Sequence, residues 1–189
     1  MLIAAFAAAL LAQTPVQTAP AQDGPISTAG GATETAGQVR LREALAYSNP
    51  LPRGAPTLDY PLVAWCDALV SGHVRLGETL TDRNAEDLDI IRLGRLEASD
   101  FRSALAAAAP RQTAATRAAA TQAAAAATAR WTPLIAQDDE AARSQSFGLF
   151  FGLPGRCEHA ARRIRANITT PPATLEEVGL RSEGVDPVQ

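Results

Sequence analysis

The chain has 189 residues, of which 47% are hydrophobic and 20% charged, and its formal net charge is −3. This length suits one domain of ordinary size, and the charge balance lacks the basic surface with which proteins bind nucleic acid or anionic membranes. All 17 basic residues are arginine, so chemistry that requires a lysine, such as a Schiff base, a Walker-type phosphate loop or a Ser-x-x-Lys acyl enzyme, is excluded.

An apolar run at residues 2–12 begins the chain and is followed by Ala19-Pro20-Ala21. This arrangement is typical of a secretory signal peptide that is cleaved after a small-x-small site. The run is shorter than the about 20 apolar residues that a membrane-spanning helix needs. An alanine-rich disordered terminus is the alternative. We therefore predict a signal peptide at residues 1–21, a periplasmic or secreted location, and no transmembrane segment after cleavage.

Cys66 and Cys157 are the two cysteines of the chain, and both fall in segments whose pattern predicts a helix. In an oxidising compartment an even number of cysteines favours a disulfide. The alternatives are two free thiols, or a metal site completed by the two histidines, His73 and His159. Since Cys157 and His159 lie two positions apart, a helix would point them in different directions. We predict a Cys66–Cys157 disulfide, with no metal site and no cofactor.

After the predicted cleavage site the sequence predicts one short helix between two irregular segments. Residues 22–34 contain glycine, proline, serine and threonine with little apolar surface to bury, which predicts a flexible, disordered leader. A short helix is predicted over residues 36–47, with Val39, Leu41 and Leu45 as its apolar positions. A proline-rich loop follows this helix.

The clearest predicted element is a long helix over residues 62–80. Six side chains recur on one face of it at alternating spacings of four and three, namely Leu62, Cys66, Leu69, His73, Leu76 and Leu80. Gly72 and Gly77 each weaken such a helix by up to about 1 kcal/mol relative to alanine. We expect these glycines to let another helix come close.

Further helices are predicted along the rest of the chain. One covers residues 86–109, and its inward stripe is Leu88, Ile91, Ala98, Phe101 and Leu105. An alanine-rich helix over 111–131 follows, because alanine has the highest helix propensity, and Pro133 breaks or kinks it. Another helix is predicted over 139–152. A last one, over 156–168, turns Cys157, Ala161, Ile164 and Ile168 inward.

These elements predict an all-α protein. Its core is an antiparallel bundle of four to five helices over residues 35–168, between the disordered leader and a disordered C-terminal tail at residues 169–189. No segment shows the alternation that indicates a β-strand.

Two histidines limit the possibilities for acid–base catalysis at neutral pH. His73 lies on the apolar stripe, which predicts a buried neutral imidazole bonded to a carbonyl or carboxylate. His159 lies at helical spacing from Arg156 and Arg163, which predicts a solvated or interhelical residue rather than a catalyst. An enzyme of unrecognised type that uses His73 or His159 as an acid or base is the alternative function.

Two patches are candidate binding surfaces. Phe147, Phe150 and Phe151 form an apolar cluster that either caps the bundle core or docks a partner. Arginines and a histidine share a segment that either complements a helix dipole or binds an anion, and these are Arg156, His159, Arg162, Arg163 and Arg165.

Recognised catalytic motifs are absent from the sequence, including Gly-x-Ser-x-Gly, His-Glu-x-x-His and Gly-x-Gly-x-x-Gly. The sequence therefore predicts an exported helical binding module. Its expected partner is another envelope protein or a small anionic ligand. A cleft that contains His73 beside a carboxylate would favour the enzyme, whereas a filled core around His73 with Phe150 or Phe151 exposed would favour the binding module.

Overall fold

The computed structural model describes residues 34–150 and 152–180, and it confirms the all-α bundle. The described residues form six α-helices: α1 (Ala36–Ser48), α2 (Asp59–Glu78), α3 (Ala85–Ala108), α4 (Ala114–Ile135), α5 (Glu140–Gly148) and α6 (Arg156–Arg165). The helix count exceeds the four to five predicted for the bundle because all six helical segments predicted along the chain are formed. The predicted signal peptide and all but residue 34 of the predicted leader lie outside the described residues.

Several helix ends differ from the prediction; α5, for example, ends at Gly148 rather than at residue 152. Pro133 lies inside α4, which continues to Ile135 because the side chains of the last turn pack on the core. The last helix, α6, ends at Arg165 rather than at residue 168. Asn167 takes a left-handed conformation with φ 54°, and the Ile168 N–H donates to the Arg163 carbonyl at 2.9 Å. This is the Schellman pattern that stops a helix. Ile168 was predicted to point inward, but it is turned outward and is 40% exposed.

The core is built around α2, which packs against α3, α4 and α6. Most of its side chains are buried, including Leu62, Val63, Trp65 and Leu76. A helix that is apolar over most of its surface has to be covered by other helices, and this is the position that α2 takes.

The two glycines predicted to allow close packing lie at such contacts. A Cβ placed on Gly72 would come within 2.0 Å of the Trp131 ring of α4, and one on Gly77 within 2.5 Å of the Phe147 ring. Ala127 is also fully buried in α4. Small residues on both helices therefore let the alanine-rich α4 approach α2.

The apolar positions of α1 and α3 are not all buried. Leu41 and Leu45 were predicted as the inward face of α1, but they are 36% and 43% exposed, and the buried residues are Glu43 and Ala44. The reason is an ion pair between Glu43 and α6. In α3, Leu88 lies outside the buried stripe and is 52% exposed.

A buried ion network joins α1, α2, α6 and the segment after α6. Arg163 is 4% exposed and donates to the Glu43 and Asp59 carboxylates at 3.0 Å each and to the Thr170 carbonyl. The Tyr47 hydroxyl donates to Asp59 at 2.6 Å. Burial alone would raise the pKa of Glu43, but the hydrogen bonds from Arg163 and Ala173 and the positive charges of Arg163 and Arg162 together lower it.

The chain continues to pack against the bundle beyond residue 168, the predicted end of the domain. Ala173 is 7% exposed, and its N–H donates to the Glu43 carboxylate at 3.4 Å. A 3₁₀ turn at Glu176–Val178 follows and contacts α1. Residues 181–189 of the predicted tail lie outside the described residues.

The predicted disulfide is present. Cys66 and Cys157 are joined by a bond of 2.06 Å, with their Cα atoms 6.1 Å apart, and it ties α2 to α6. Since both thiols are consumed by this bond, the free-thiol and cysteine–metal alternatives are removed.

Candidate functional site

A cleft of about 580 Å³ opens between α3 and α6, and α2 contributes Val70 and His73 to it. We call it the α3–α6 cleft. Its apolar lining consists mainly of Val70, Ile90, Leu93, Phe101, Phe150 and Ala161. Its charged lining consists of Glu97, Asp100, Glu158, Arg162 and Arg165. An apolar cavity with a few polar groups is the usual form of a small-molecule site.

The lining of the cleft follows from the spacing of residues on α3. Ile90, Leu93, Glu97 and Phe101 recur at intervals of three and four, so they share one face of the helix. Gly94 lies on the same face, and a Cβ there would be 2.7 Å from Val74. The missing side chain lets α3 pack close to α2 at this point.

Three carboxylates in the cleft are not neutralised by their neighbours. The side chains of Glu97, Asp100 and Glu158 form neither an ion pair nor a hydrogen bond with any described residue. Burial raises the pKa of Glu97, and the negative charges of Glu158 and Asp100 raise it further. The cleft is therefore an apolar cavity with an excess of negative charge at Glu97.

The two arginines of the cleft have other partners. Arg162 donates to the ring nitrogen Nδ1 of His159 at 2.7 Å and lies 3.9 Å from the Glu43 carboxylate. Arg165 donates to the backbone carbonyl of Asp100 at 2.8 Å. Neither guanidinium forms an ion pair with a cleft carboxylate, so the local excess of negative charge persists.

His73 is the neutral, buried residue that its position predicts. Its Nε2 donates to the Phe147 carbonyl at 2.9 Å, and its ring lies 4.4 Å from the rings of both Phe147 and Phe150. Burial lowers the pKa of His73. No carboxylate among the described residues shifts that pKa, so His73 lines the cleft as part of an aromatic wall.

His159 lies on α6 among residues that face α1, and it does not line the cleft. His159 is 5% exposed. Of the two predicted positions, in solvent or between helices, it therefore takes the one between helices. Burial lowers the pKa of His159, and the positive charge of Arg162 lowers it further. Since Arg162 donates to Nδ1, His159 is a neutral acceptor in this arrangement.

Two of the arginines predicted to bind an anion, Arg156 and Arg163, are used inside the fold. Arg156 donates to the Tyr47 carbonyl, and its guanidinium lies 4.7 Å from the centre of the Tyr47 ring. Arg163 holds the buried network that includes Glu43 and Asp59. Arg156 and Arg163 therefore join α6 to α1 and α2, whereas Arg162 and Arg165 line the α3–α6 cleft.

The phenylalanine cluster caps the core where the structure describes it. Phe147 is 3% exposed, and Phe150 packs against His73 and the Trp131 ring. Phe151, the third predicted member, lies outside the described residues. Leu149, 59% exposed, is the one large apolar side chain between Phe147 and Phe150 that faces outward.

Sequence reasoning missed the three cleft carboxylates. The available signal was Glu97, which interrupts the apolar face of α3 between Leu93 and Phe101 at helical spacing. Asp100 and Glu158 carry no such signal, since they approach Glu97 only through the packing of α3 against α6.

Comparisons with protein-family models, with curated proteins and with solved structures found no match for this chain. Among the described residues, no helix combines the length and apolarity needed to cross a bilayer. Those residues also contain no cluster of three metal-ligating side chains. The chemistry of the cleft therefore has to be inferred from its own residues.

Proposed function

We propose that this protein is an exported binding module whose α3–α6 cleft holds a small molecule with an apolar body and a protonated amine. The observation that carries this proposal is the group of unpaired carboxylates, Glu97, Asp100 and Glu158, in a cavity with an apolar lining. The apolar wall would cover the body of the ligand, and the carboxylates would bind its cation.

The electrostatics of the cleft support a cation over an anion. An ionised Glu97 is partly removed from water and is repelled by Asp100 and Glu158, so it destabilises the empty protein. A protonated amine beside Glu97 would relieve this repulsion in surroundings less polar than water. A ligand with a carboxylate would instead add to the repulsion among the negative charges of the cleft.

The enzyme alternative has less support from the geometry and stays a prediction. His73 reaches the cleft, but its Nε2 is bonded to the Phe147 carbonyl, and no described carboxylate acts on its ring. His159 lies outside the cleft. An envelope-protein partner also stays a prediction.

Export is the second component of the proposal. It is supported by the apolar run at residues 2–12 and by the disulfide, since disulfides persist in oxidising compartments. Amino-terminal sequencing of the protein from its native host should begin at Gln22. A full-length cytoplasmic product would contradict export.

The binding proposal is tested with three ligands that share one apolar chain. We expect octylamine to bind more tightly than neutral octanol, and octanol more tightly than octanoate, in isothermal titration at neutral pH. Glu97→Gln should weaken octylamine binding about tenfold, equivalent to about 1.4 kcal/mol, and should leave octanol binding unchanged. Glu86→Gln is the matched control, since Glu86 is exposed on the same helix outside the cleft. Equal affinities for all three ligands, or no binding of octylamine, would contradict the proposal.

The stability of the same variant gives a second readout. The pKa of Glu97 is higher in the folded chain than in the unfolded chain. The free energy of unfolding therefore falls as the pH rises from the ordinary glutamate pKa through the raised pKa of folded Glu97. At neutral pH, Glu97→Gln should therefore raise the unfolding temperature while it weakens amine binding. Below the ordinary glutamate pKa the two proteins should be equally stable. A variant that loses both stability and binding would show that Glu97 is a structural residue.

A further inference from the structure

A second cavity, of about 270 Å³, lies between α2 and α4, on a different face of α2 from the α3–α6 cleft. Its apolar lining is formed mainly by Ala68, Ile135 and Ala136. Its polar lining is formed by Ser71, Arg75, Thr128, Trp131 and Thr132. A water molecule occupies about 30 Å³ in the liquid, so this space is large enough for more than one bridging water.

Trp131 lines this cavity, and its indole N–H has no acceptor among the described residues. The residue is 6% exposed, and its indole Nε1 is buried without a partner among the described residues. The five-membered part of the indole ring lies against Gly72, where a Cβ would be 2.0 Å from Cδ1 and 2.4 Å from both Cγ and Nε1, and Gly72 also lines the cavity. A buried indole N–H without an acceptor is costly, and it can only donate.

The hydroxyl groups of the cavity already donate elsewhere. Ser71 donates to the Asp67 carboxylate at 3.2 Å, and Asp67 itself does not line the cavity. Thr128 and Thr132 donate to carbonyls of their own helix. Arg75, which is exposed, forms no ion pair or hydrogen bond with any described residue. The unused donors of the lining are therefore the Trp131 N–H and the permanently charged Arg75 guanidinium, while the three hydroxyl oxygens can still accept hydrogen bonds.

We propose that this cavity binds a small carboxylate with an apolar body. The Arg75 guanidinium would pair with the carboxylate, the Trp131 N–H would donate to one of its oxygens, and Ala68 and Ile135 would contact the apolar part. The lining residues of this site differ from those of the α3–α6 cleft, and it selects the opposite charge, although Trp131 also contacts His73 and Phe150 of the aromatic wall.

The experiment follows the two indole N–H resonances of the ¹⁵N-labelled protein, assigned through bonds, during titration with benzoate at constant ionic strength. Saturable binding should move the Trp131 resonance downfield. Trp65 serves as the internal reference, since its Nε1 is also buried without a partner but it does not line the cavity. Benzyl alcohol is the neutral control ligand.

Arg75→Gln should weaken benzoate binding at least about tenfold. Arg83→Gln, which changes an exposed arginine outside the cavity, should leave binding unchanged. The proposal is overturned if the Trp131 resonance does not respond to benzoate, which would mean that water alone serves this donor. It is also overturned if benzyl alcohol binds as well as benzoate, or if Arg75→Gln binds benzoate normally.

Discussion

Trp131 can lie against α2 because residue 72 has no Cβ. An added Cβ would meet Cδ1 of the indole at 2.0 Å, Cγ at 2.4 Å and Nε1 at 2.4 Å. Each of these distances is too short for a non-bonded contact between heavy atoms, which is favourable near 3.5–4.0 Å. The ring is also part of the aromatic wall with His73 and Phe150. One glycine therefore determines how closely α4 packs and where the wall lies.

Gly72→Ala should destabilise the protein. Overpacking costs about 1–3 kcal/mol, which exceeds the up to about 1 kcal/mol that alanine adds to helix stability. Thermal unfolding followed by circular dichroism measures the change. Gly148→Ala is the control, since a Cβ at Gly148 meets nothing within 4 Å. An unchanged or raised unfolding temperature for Gly72→Ala would contradict the packing described for Trp131.

At the scale of elements, α1 is attached to the bundle largely by polar contacts. Its buried residues are Glu43 and Ala44, whereas Leu41 and Leu45 remain exposed. Arg163 links Glu43 of α1 to Asp59 of α2. A helix attached by buried ion pairs is more sensitive to the loss of one charged residue than a helix attached by apolar contacts. The reason is that a buried charge without a partner costs about 3–5 kcal/mol.

Glu43→Gln should loosen α1 and the segment around Ala173 together. Removing one partner of a buried ion pair costs about 3–5 kcal/mol, and we expect the lower end because Asp59 still pairs with Arg163. Urea unfolding measures the loss, and limited proteolysis should show earlier cleavage around α1. Glu78→Gln is the control, since it breaks the exposed Arg95–Glu78 pair, with an expected cost below about 1 kcal/mol. Equal effects of the two variants would contradict the role given to Glu43.

The helical class and the disulfide could be predicted because they depend on local patterns and on a count. Alanine propensity, the spacing along α2 and an even number of cysteines are all visible in the chain. The buried face of α1 could not be predicted in this way. Its determinant is the pairing of Glu43 with Arg163, which are 120 positions apart. Glu97 was missed for the same reason, since its surroundings come from both α3 and α6.

For the molecule as a whole, the disulfide holds the last helix on the central one. Cys66 and Cys157 are separated by 91 positions, and both are buried. Because α6 forms one wall of the α3–α6 cleft and α2 contributes to its lining, the bond also limits how far that cleft can open. Stability and the proposed binding site therefore depend on the same covalent link.

The double variant Cys66→Ala/Cys157→Ala should lower both stability and octylamine affinity. For a loop of this length the chain-entropy relation gives a loss of at most about 4.5 kcal/mol. Urea unfolding and isothermal titration measure the two effects. We expect the affinity for octylamine to fall while the helical circular dichroism signal is unchanged. A variant as stable as the disulfide-bonded protein would contradict the role of this bond.

The most direct test of the proposed cation site is a chemical-shift map of the ¹⁵N-labelled protein titrated with octylamine. The proposal predicts the largest backbone shifts at residues of the cleft lining, such as Val70, Gly94, Glu97, Phe101 and Ala161. The shifts should be reduced in Glu97→Gln and unchanged in Glu86→Gln. Shifts centred on the outer face of α1 or on α4, or shifts that survive in Glu97→Gln at full size, would contradict binding of a cation in the α3–α6 cleft.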